Sequence, residues 1–231
     1  QPEVIGRTLS HYLDLAEGVV RLPFDFSFDP ARLSRVTISA CGTAFYAGLV
    51  ARYWLERFAR LSVDIDIASE FRYRDPPLPD DGLMIVVSQS GETADTLAPL
   101  KYCKSHGQKI LSVVNVPESA IARESHVLLP TLAGPEIGVA STKAFTTQLM
   151  ALACLSINLA RARGAIDSAQ EAKLAAALVE VPSRAADALH LDTQIKAIAE
   201  EVSQARDVLY LGRGSSYPIA LEGALKIGRA H

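Results

Sequence analysis

The feature that most constrains the fold is an alternation of short apolar runs, rich in β-branched residues, with longer stretches that suit helices. Four runs have the length and composition of β-strands: 36–39, 63–67, 83–87 and 110–114. The stretches 45–59 and 96–106 between them suit helices. Because strands that alternate with helices usually pair in parallel, the first half of the chain predicts an α/β fold with a parallel sheet and helices on both faces.

The composition of the runs also predicts their places in the sheet. Runs 83–87 and 110–114 are largely apolar, which is typical of central strands that are covered on both faces. Run 63–67 includes Asp64 and Asp66 in alternation with apolar residues and is predicted to be an edge strand. Open parallel sheets bind ligands outside the carboxyl ends of their strands, so the segments that follow the runs are the candidate site.

The second half of the chain is predicted to be mainly helical. Its pattern indicates a long helix over 142–163, an alanine-rich helix over 168–191 that a proline interrupts, and a new strand over 208–211. That strand enters a glycine-containing turn and a further helix. Residues 39–43 and 210–214 share this strand-to-turn design, which indicates an internal duplication.

Composition excludes several classes of function. The 231 residues are 49% hydrophobic, enough to fill a core, and 23 basic against 26 acidic residues leave no basic field for nucleic acid. The apolar stretch 149–160 is too short for a bilayer crossing of about 20 residues, and the N-terminus lacks the order of a secretory signal, which predicts a cytoplasmic protein. Three widely spaced cysteines, Cys41, Cys103 and Cys154, favour neither a disulfide framework nor a metal site.

The segment most informative about chemistry is the hydroxyl-rich loop that directly follows run 83–87. It brings Ser88, Ser90 and Thr93 together with the amide of Gln89 at a point where a helix is about to begin. A helix N-terminus supplies free N–H donors and partial positive charge, so such a loop can hold a phosphate without Lys or Arg. The loop therefore predicts a phosphate cradle.

A simpler interpretation is that Ser90 or Thr93 only caps the following helix, with the other hydroxyls solvated. Nucleotide binding is disfavoured in either case. The loop lacks the lysine and the spacing of a Walker P-loop, and it is not a dinucleotide-binding G-x-G-x-x-G turn.

Residues 88–96 and 138–148 together resemble the isomerase half of the glucosamine-6-phosphate synthase family, which is built from sugar isomerase (SIS) domains. Segments 68–74, 211–214 and 217–226 match the family in the same order. The resemblance implies a three-layer αβα sandwich around a parallel, flavodoxin-like sheet, followed by connector helices and the start of a second such domain. The implied divisions are a lead-in segment over 1–30, a first SIS domain over 31–165, a helical connector over 166–206 and an incomplete second SIS domain over 207–231.

The resemblance also implies a reaction and its partners. The family converts fructose 6-phosphate to glucosamine 6-phosphate with ammonia from a separate glutaminase domain, uses no metal or organic cofactor, and forms homodimers. The matched positions imply a substrate-binding set of Gly42, Thr43, Ser88, Gln89, Ser90, Thr93, Val139 and Ser141. Ala44 stands where the family has a hydroxyl residue, and the loss of one neutral hydrogen bond costs about 1 kcal/mol.

Glu222 and Lys226 are implied to lie in the proton-transfer region, as the catalytic residues of this chain. Their i, i+4 spacing taken alone more often indicates a surface ion pair.

Lys143 has two interpretations, as support for an anionic ligand or as a partner that neutralises Glu136. Cys41 is expected to be a small buried or pocket-lining thiol rather than a nucleophile, because no histidine lies near it in sequence.

The chain departs from the family pattern after Lys226. The family's catalytic glutamate, ring-opening histidine and Schiff-base lysine have no assigned position here, and the N-terminal glutaminase is absent, so a fragment is expected. Two alternatives stay open at this point. One is a non-catalytic sugar-phosphate-binding SIS module, and the other is an amino-sugar-phosphate deaminase, which segments 92–96 and 141–145 disfavour.

Overall fold

Seven strands and ten α-helices make up the computed structural model, which describes residues 1–138 and 140–229. The strands are β1 Leu13–Asp14, β2 Val19–Val20, β3 Arg35–Ala40, β4 Ser62–Ile67, β5 Gly82–Ser88, β6 Lys109–Val114 and β7 Val127–Pro130. The first helices are α1 Pro2–Tyr12, α2 Gly42–Trp54, α3 Ala68–Arg74, α4 Ala94–Ser105 and α5 Ala120–Glu124. The others are α6 Lys143–Ala162, α7 Ser168–Val179, α8 Val181–Leu189, α9 Asp192–Val202 and α10 Ser216–Arg229.

The strands β3 to β7 form one parallel sheet in the order β4-β3-β5-β6-β7. Numbered along the chain from β3, this is the order 2-1-3-4-5 of flavodoxin-like folds. The predicted parallel α/β sheet is confirmed, and so is the edge position of β4. The chain leaves β3 towards one edge and returns through β5 towards the other, so the gap beyond the carboxyl ends of β3 and β5 is the topological switch point.

Helices cover both faces of the sheet, which makes three layers. On one face, α1, α2 and α6 pack on side chains such as Ile38 and Ile85. On the other face, α3, α4 and α5 pack on Met84 and Val86 of the central strand. Every residue of β5 is buried, because both faces of that strand are covered.

The segment predicted as an N-terminal lead-in contributes to this core. Ile5, Leu9 and Tyr12 of α1 are almost completely buried against α6, and the Thr8 and Tyr12 hydroxyls donate to main-chain carbonyls just after and at the end of β7. In the predicted connector, α7 adds Ala175 to the core, whereas α9 has no buried residue.

One predicted strand is wrong. Residues 208–211 have no regular secondary structure and are exposed, because no strand lies beside them in the described part of the chain to complete their hydrogen bonds. Two elements were not predicted, namely the β1–β2 ribbon and the edge strand β7, which is short and ends in a proline. Within residues 1–138 and 140–229, no helix has both the length and the apolar character needed to cross a bilayer.

Candidate functional site

A cleft of about 210 Å³ opens at the switch point, beyond the carboxyl ends of β3 and β5. The turn after β3 forms one wall, the hydroxyl-rich loop after β5 forms another, and the start of α6 forms a third. The lining residues are Cys41, Gly42, Thr43, Ala44, Val87, Ser88, Gln89, Ser90, Thr93, Thr96, Ser141, Ala144 and Gln148. The sheet thus brings together two loops that are more than 40 residues apart in sequence.

Three helix N-termini meet at this cleft. Thr43 lies in the first turn of α2, Thr93 is the N-cap residue of α4, and Ala144 lies in the first turn of α6. The first turns of α2 and α4 present N–H groups without intrahelical partners and partial positive charge, whereas in α6 the Ala144 N–H already donates to the Glu136 carboxylate. Their convergence favours an anionic ligand in a cleft whose lining residues include no Lys or Arg.

The loop after β5 is held in place by α5. Gly91 has a φ of +67°, its carbonyl accepts a hydrogen bond from the Ile121 N–H at 2.9 Å, and the space beside its Cα is filled by the Ser119 side chain. Glu92 strengthens the attachment, because its Oε1 accepts from the Ala120 N–H at 2.8 Å. The loop is therefore shaped before any ligand arrives.

The hydroxyls of the loop keep donor capacity for a ligand. Ser88 Oγ accepts from the Gly91 N–H at 3.0 Å and lies 3.5 Å from Thr93 Oγ1, and Ser90 Oγ accepts from the Glu92 N–H at 3.2 Å. In the two serines a main-chain N–H occupies an acceptor site, which leaves the Ser90 proton free to donate, while one of the Ser88 and Thr93 hydroxyls donates to the other and the remaining proton is free. Thr93 is the N-cap residue of α4, yet its side chain makes no capping hydrogen bond. The structure therefore does not support the simpler interpretation in which a loop hydroxyl only caps α4.

Glu222 and Lys226 are brought to the edge of the cleft by α10, which packs on α2. Lys226 Nζ lies 2.6 Å from Glu222 Oε1 and donates to Thr43 Oγ1 at 3.2 Å. The side chain of Glu222 is only 6% exposed, so this is not a surface ion pair. The two charges are close, but their contact lacks the alignment of a hydrogen bond, and Glu222 Oε2 has no hydrogen-bond partner among the described residues.

The other predicted site residues are placed as follows. Gly42, Gln89 and Ser141 line the cleft, whereas Val139 lies outside the described residues. Ala44 also lines the cleft, so the hydroxyl that the family carries at this position is missing from the wall itself.

Neither interpretation of Lys143 is supported. Lys143 does not line the cleft, and the described residues contain no ion pair between it and Glu136. Glu136 instead accepts a hydrogen bond from the Ala144 N–H at 2.9 Å, which caps α6.

The lining residues with polar or thiol side chains that were not predicted to bind ligand are Thr96, Gln148 and Cys41. Thr96 and Gln148 lie on helices inside the matched motifs, and helical periodicity from Thr93 and Ala144 is the signal that points to them. Cys41 is partly exposed, as expected for a pocket-lining thiol. Burial raises the pKa of Cys103 and of Cys154 to about 12, so those two stay protonated at neutral pH.

Comparison with known proteins gives consistent results. The family described as SIS domain matches residues 31–157. A glutamine–fructose-6-phosphate aminotransferase (isomerizing) of Bradyrhizobium diazoefficiens is 59% identical over 227 residues, and one of Brucella abortus is 59% identical over 230 residues. Each alignment covers 98% of this chain and 37% of the relative, so the chain spans little more than a third of those proteins.

A solved structure extends the comparison to three dimensions. The C-terminal domain of glucosamine-fructose-6-phosphate aminotransferase from Francisella tularensis superposes with a TM-score of 0.93 at 42% identity, over 99% of this chain and 64% of that one. The SIS domain match covers more than half of the chain, and the chain therefore belongs to the SIS domain family.

Proposed function

We propose that this chain is the sugar-phosphate-binding portion of a glutamine–fructose-6-phosphate aminotransferase. The observation that carries the proposal is the cleft at the switch point, where three helix N-termini and the hydroxyls of Ser88, Ser90 and Thr93 converge. The similarity to aminotransferases of that name supports the choice of fructose 6-phosphate as ligand. The whole protein would form glucosamine 6-phosphate from it.

The cleft suits the phosphate end of such a ligand. A phosphate dianion accepts hydrogen bonds and donates none, and the loop offers it the Ser90 proton and one proton of the Ser88–Thr93 pair. Hydrogen bonds to a charged group contribute about 1.5–3 kcal/mol each, so two or three of them, with the helix N-termini, give useful affinity without a fixed cation. In this proposal Gln89 joins the loop hydroxyls around the phosphate, and Gly42, Thr43 and Ser141 contact the rest of the sugar.

Glu222 and Lys226 are the catalytic residues that we assign to this chain. The reaction moves a proton between C1 and C2 of the open-chain sugar, which needs a carboxylate or an amine near the cleft. Lys226 reaches Thr43 in the cleft wall, and Glu222 lies beside it. The glutaminase domain that supplies ammonia, the homodimer and the cytoplasmic location stay predictions of the family resemblance.

A non-catalytic binding module is the second candidate. One observation favours it: the described residues that line the cleft all fall within 41–148, outside α10. Kinetics of the whole protein distinguish the candidates, because Glu222→Gln abolishes turnover of an enzyme but leaves a sensor's ligand affinity unchanged. The deaminase alternative loses support, since the most similar relatives named above are aminotransferases.

Calorimetric titration of the chain with fructose 6-phosphate, glucosamine 6-phosphate and fructose tests the proposal. We expect only the phosphorylated sugars to bind. Ser90→Ala removes one hydrogen bond to the phosphate and should weaken binding about tenfold or more. Ser105→Ala is the matched control, because Ser105 is exposed on α4 and donates to the Tyr102 carbonyl.

Two results would contradict the proposal. Equal binding of fructose and fructose 6-phosphate would remove the role of the phosphate. Unchanged affinity in a folded Ser90→Ala variant would show that the loop after β5 does not hold the phosphate.

A further inference from the structure

Gln148 is a buried amide at the floor of the cleft. It lies on the second turn of α6, four residues after Ala144, so both side chains are on the helix face that lines the cleft. Ala144 carries only a methyl group, which leaves room for the longer side chain beside it. Gln148 is 2% exposed, and its Oε1 atom has no hydrogen-bond partner in the described part of the chain.

A glutamine in this position is unfavourable for the fold alone. Glutamine is mostly found at protein surfaces, and a buried amide without a partner loses its hydrogen bonds to water without replacement. Neighbouring buried polar groups of α6 do not share this defect, because Thr147 and Ser156 donate to main-chain carbonyls of their own helix. The missing partner of Gln148 is therefore to be sought in the cleft.

We infer that the Gln148 carboxamide hydrogen-bonds a hydroxyl group of the sugar and makes the site selective for the sugar portion of its ligand. This inference rests on the proposed function, since it assumes that a sugar phosphate fills the cleft. The buried unpartnered atom is the acceptor Oε1, which needs a donor, while the N–H groups of the same amide need an acceptor, and a sugar hydroxyl can serve as both. A phosphate dianion has no proton to donate, whereas every hydroxyl of a sugar has one.

The site then divides its ligand between two groups of residues. The loop after β5 holds the phosphate through Ser88, Ser90 and Thr93, which are neutral donors. Gln148, on α6, forms hydrogen bonds with a hydroxyl group of the sugar. Removal of Gln148 should consequently affect sugar phosphates and leave inorganic phosphate unaffected.

Gln148→Leu tests this, because leucine has a similar size and no polar group. We expect affinity for fructose 6-phosphate to fall about tenfold, equivalent to about 1.4 kcal/mol, with no change for inorganic phosphate. We also expect the unliganded variant to melt at the same temperature as the parent chain or higher, since an unsatisfied buried amide has been replaced by an apolar group.

Gln108→Leu is the matched control. Gln108 is also 2% exposed and also has an unpartnered Oε1, but it lies away from the cleft and its Nε2 donates to the Pro79 carbonyl. This variant should lose stability, because the Pro79 carbonyl keeps only its 3.4 Å hydrogen bond from the Gly82 N–H, and should keep the parent's affinity for both ligands.

The outcomes separate this inference from the proposed function. If the parent chain fails to bind fructose 6-phosphate, the proposed function itself is wrong. If the parent binds and Gln148→Leu binds equally well, a water molecule satisfies the amide and the inference is overturned. Equal weakening of fructose 6-phosphate and inorganic phosphate, or a lower melting temperature with unchanged affinity, overturns it as well, because the former points to the phosphate and the latter to a structural role.

Discussion

Two glycines set the shape of the cleft. Gly42 has a φ of +54° and lets the chain turn from β3 directly into α2, and Gly91 has a φ of +67° within the loop after β5. A residue with a Cβ rarely adopts such angles. At Gly91 a second constraint applies, because an added methyl group would overlap the side chain of Ser119. The hydroxyl groups of the loop are thus positioned by a backbone that only glycine permits.

Gly91→Ala should destabilise the chain by about 3 kcal/mol, the sum of left-handed backbone strain and overpacking against Ser119. Gly107→Ala separates the two terms. Gly107 has a φ of +79° but open space around it, so only the strain of about 1 kcal/mol applies. Urea unfolding of both variants measures the difference. Equal losses would mean that the loop yields to the methyl group and is not held by α5.

Local chemistry was readable from the sequence at this scale, but long-range contacts were not. The loop 88–93 was recognisable because its hydroxyls, its glycine and the helix that follows are consecutive. The Lys226–Thr43 hydrogen bond joins residues that lie 183 positions apart, and nothing in the spacing of either residue points to the other. The burial of Glu222 was hidden for the same reason.

At the scale of elements, Glu171 joins three parts of the chain. It lies on α7 and is 6% exposed, its Oε1 accepts from the Val20 N–H of β2 at 3.1 Å, and its Oε2 lies 2.8 Å from Arg161 Nε on α6. Both carboxylate oxygens therefore have partners. This contact explains why the short β1–β2 ribbon is ordered against the helices although two strands alone are marginal.

Glu171→Ala should lower the free energy of unfolding by about 2–3 kcal/mol, because the Val20 N–H and the Arg161 guanidinium lose their partner. The estimate stays below that for a fully buried pair, since Arg161 is 39% exposed and water can solvate it. Glu180→Ala is the control: Glu180 forms an exposed i, i+4 pair with Arg184, worth well under 1 kcal/mol. If urea unfolding gave the same loss of unfolding free energy for both variants, the proposed stabilising role of Glu171 would be wrong.

A comparison of the predicted and observed strands shows when the sequence pattern alone identifies a strand. The apolar runs of β3, β5 and β6 were recognised because neighbouring strands and helices bury them. Residues 208–211 have an equally strand-like composition, yet β-structure depends on hydrogen-bond partners that composition does not reveal. Strand β7 is present but was not predicted from its sequence. It is only four residues long and ends in Pro130, a residue that is tolerated at a sheet edge.

At the scale of the whole molecule, the hydrophobic core and the last fifth of the chain are distinct. Both core clusters draw their residues from positions up to Ala185. Beyond that point α9 has no buried residue, and 205–213 is exposed without regular structure, with Leu209 and Leu211 more than four-fifths exposed. Helix α10 again contacts the earlier part of the chain, because Lys226 donates to Thr43 and Glu222 is buried beside it. The proposed first domain should therefore remain folded when the link to α10 is cut.

Limited digestion with chymotrypsin tests this separation. The first cleavage should fall after Leu209, Tyr210 or Leu211, because a protease needs an extended, exposed backbone. Tyr73 is an internal control, since it is 78% exposed but lies within α3 and should be cut much later. The product that begins at Gln1 should keep the melting temperature of the intact chain. A fall in that temperature would mean that α10, through Lys226 and Thr43, stabilises the sheet as well as the cleft.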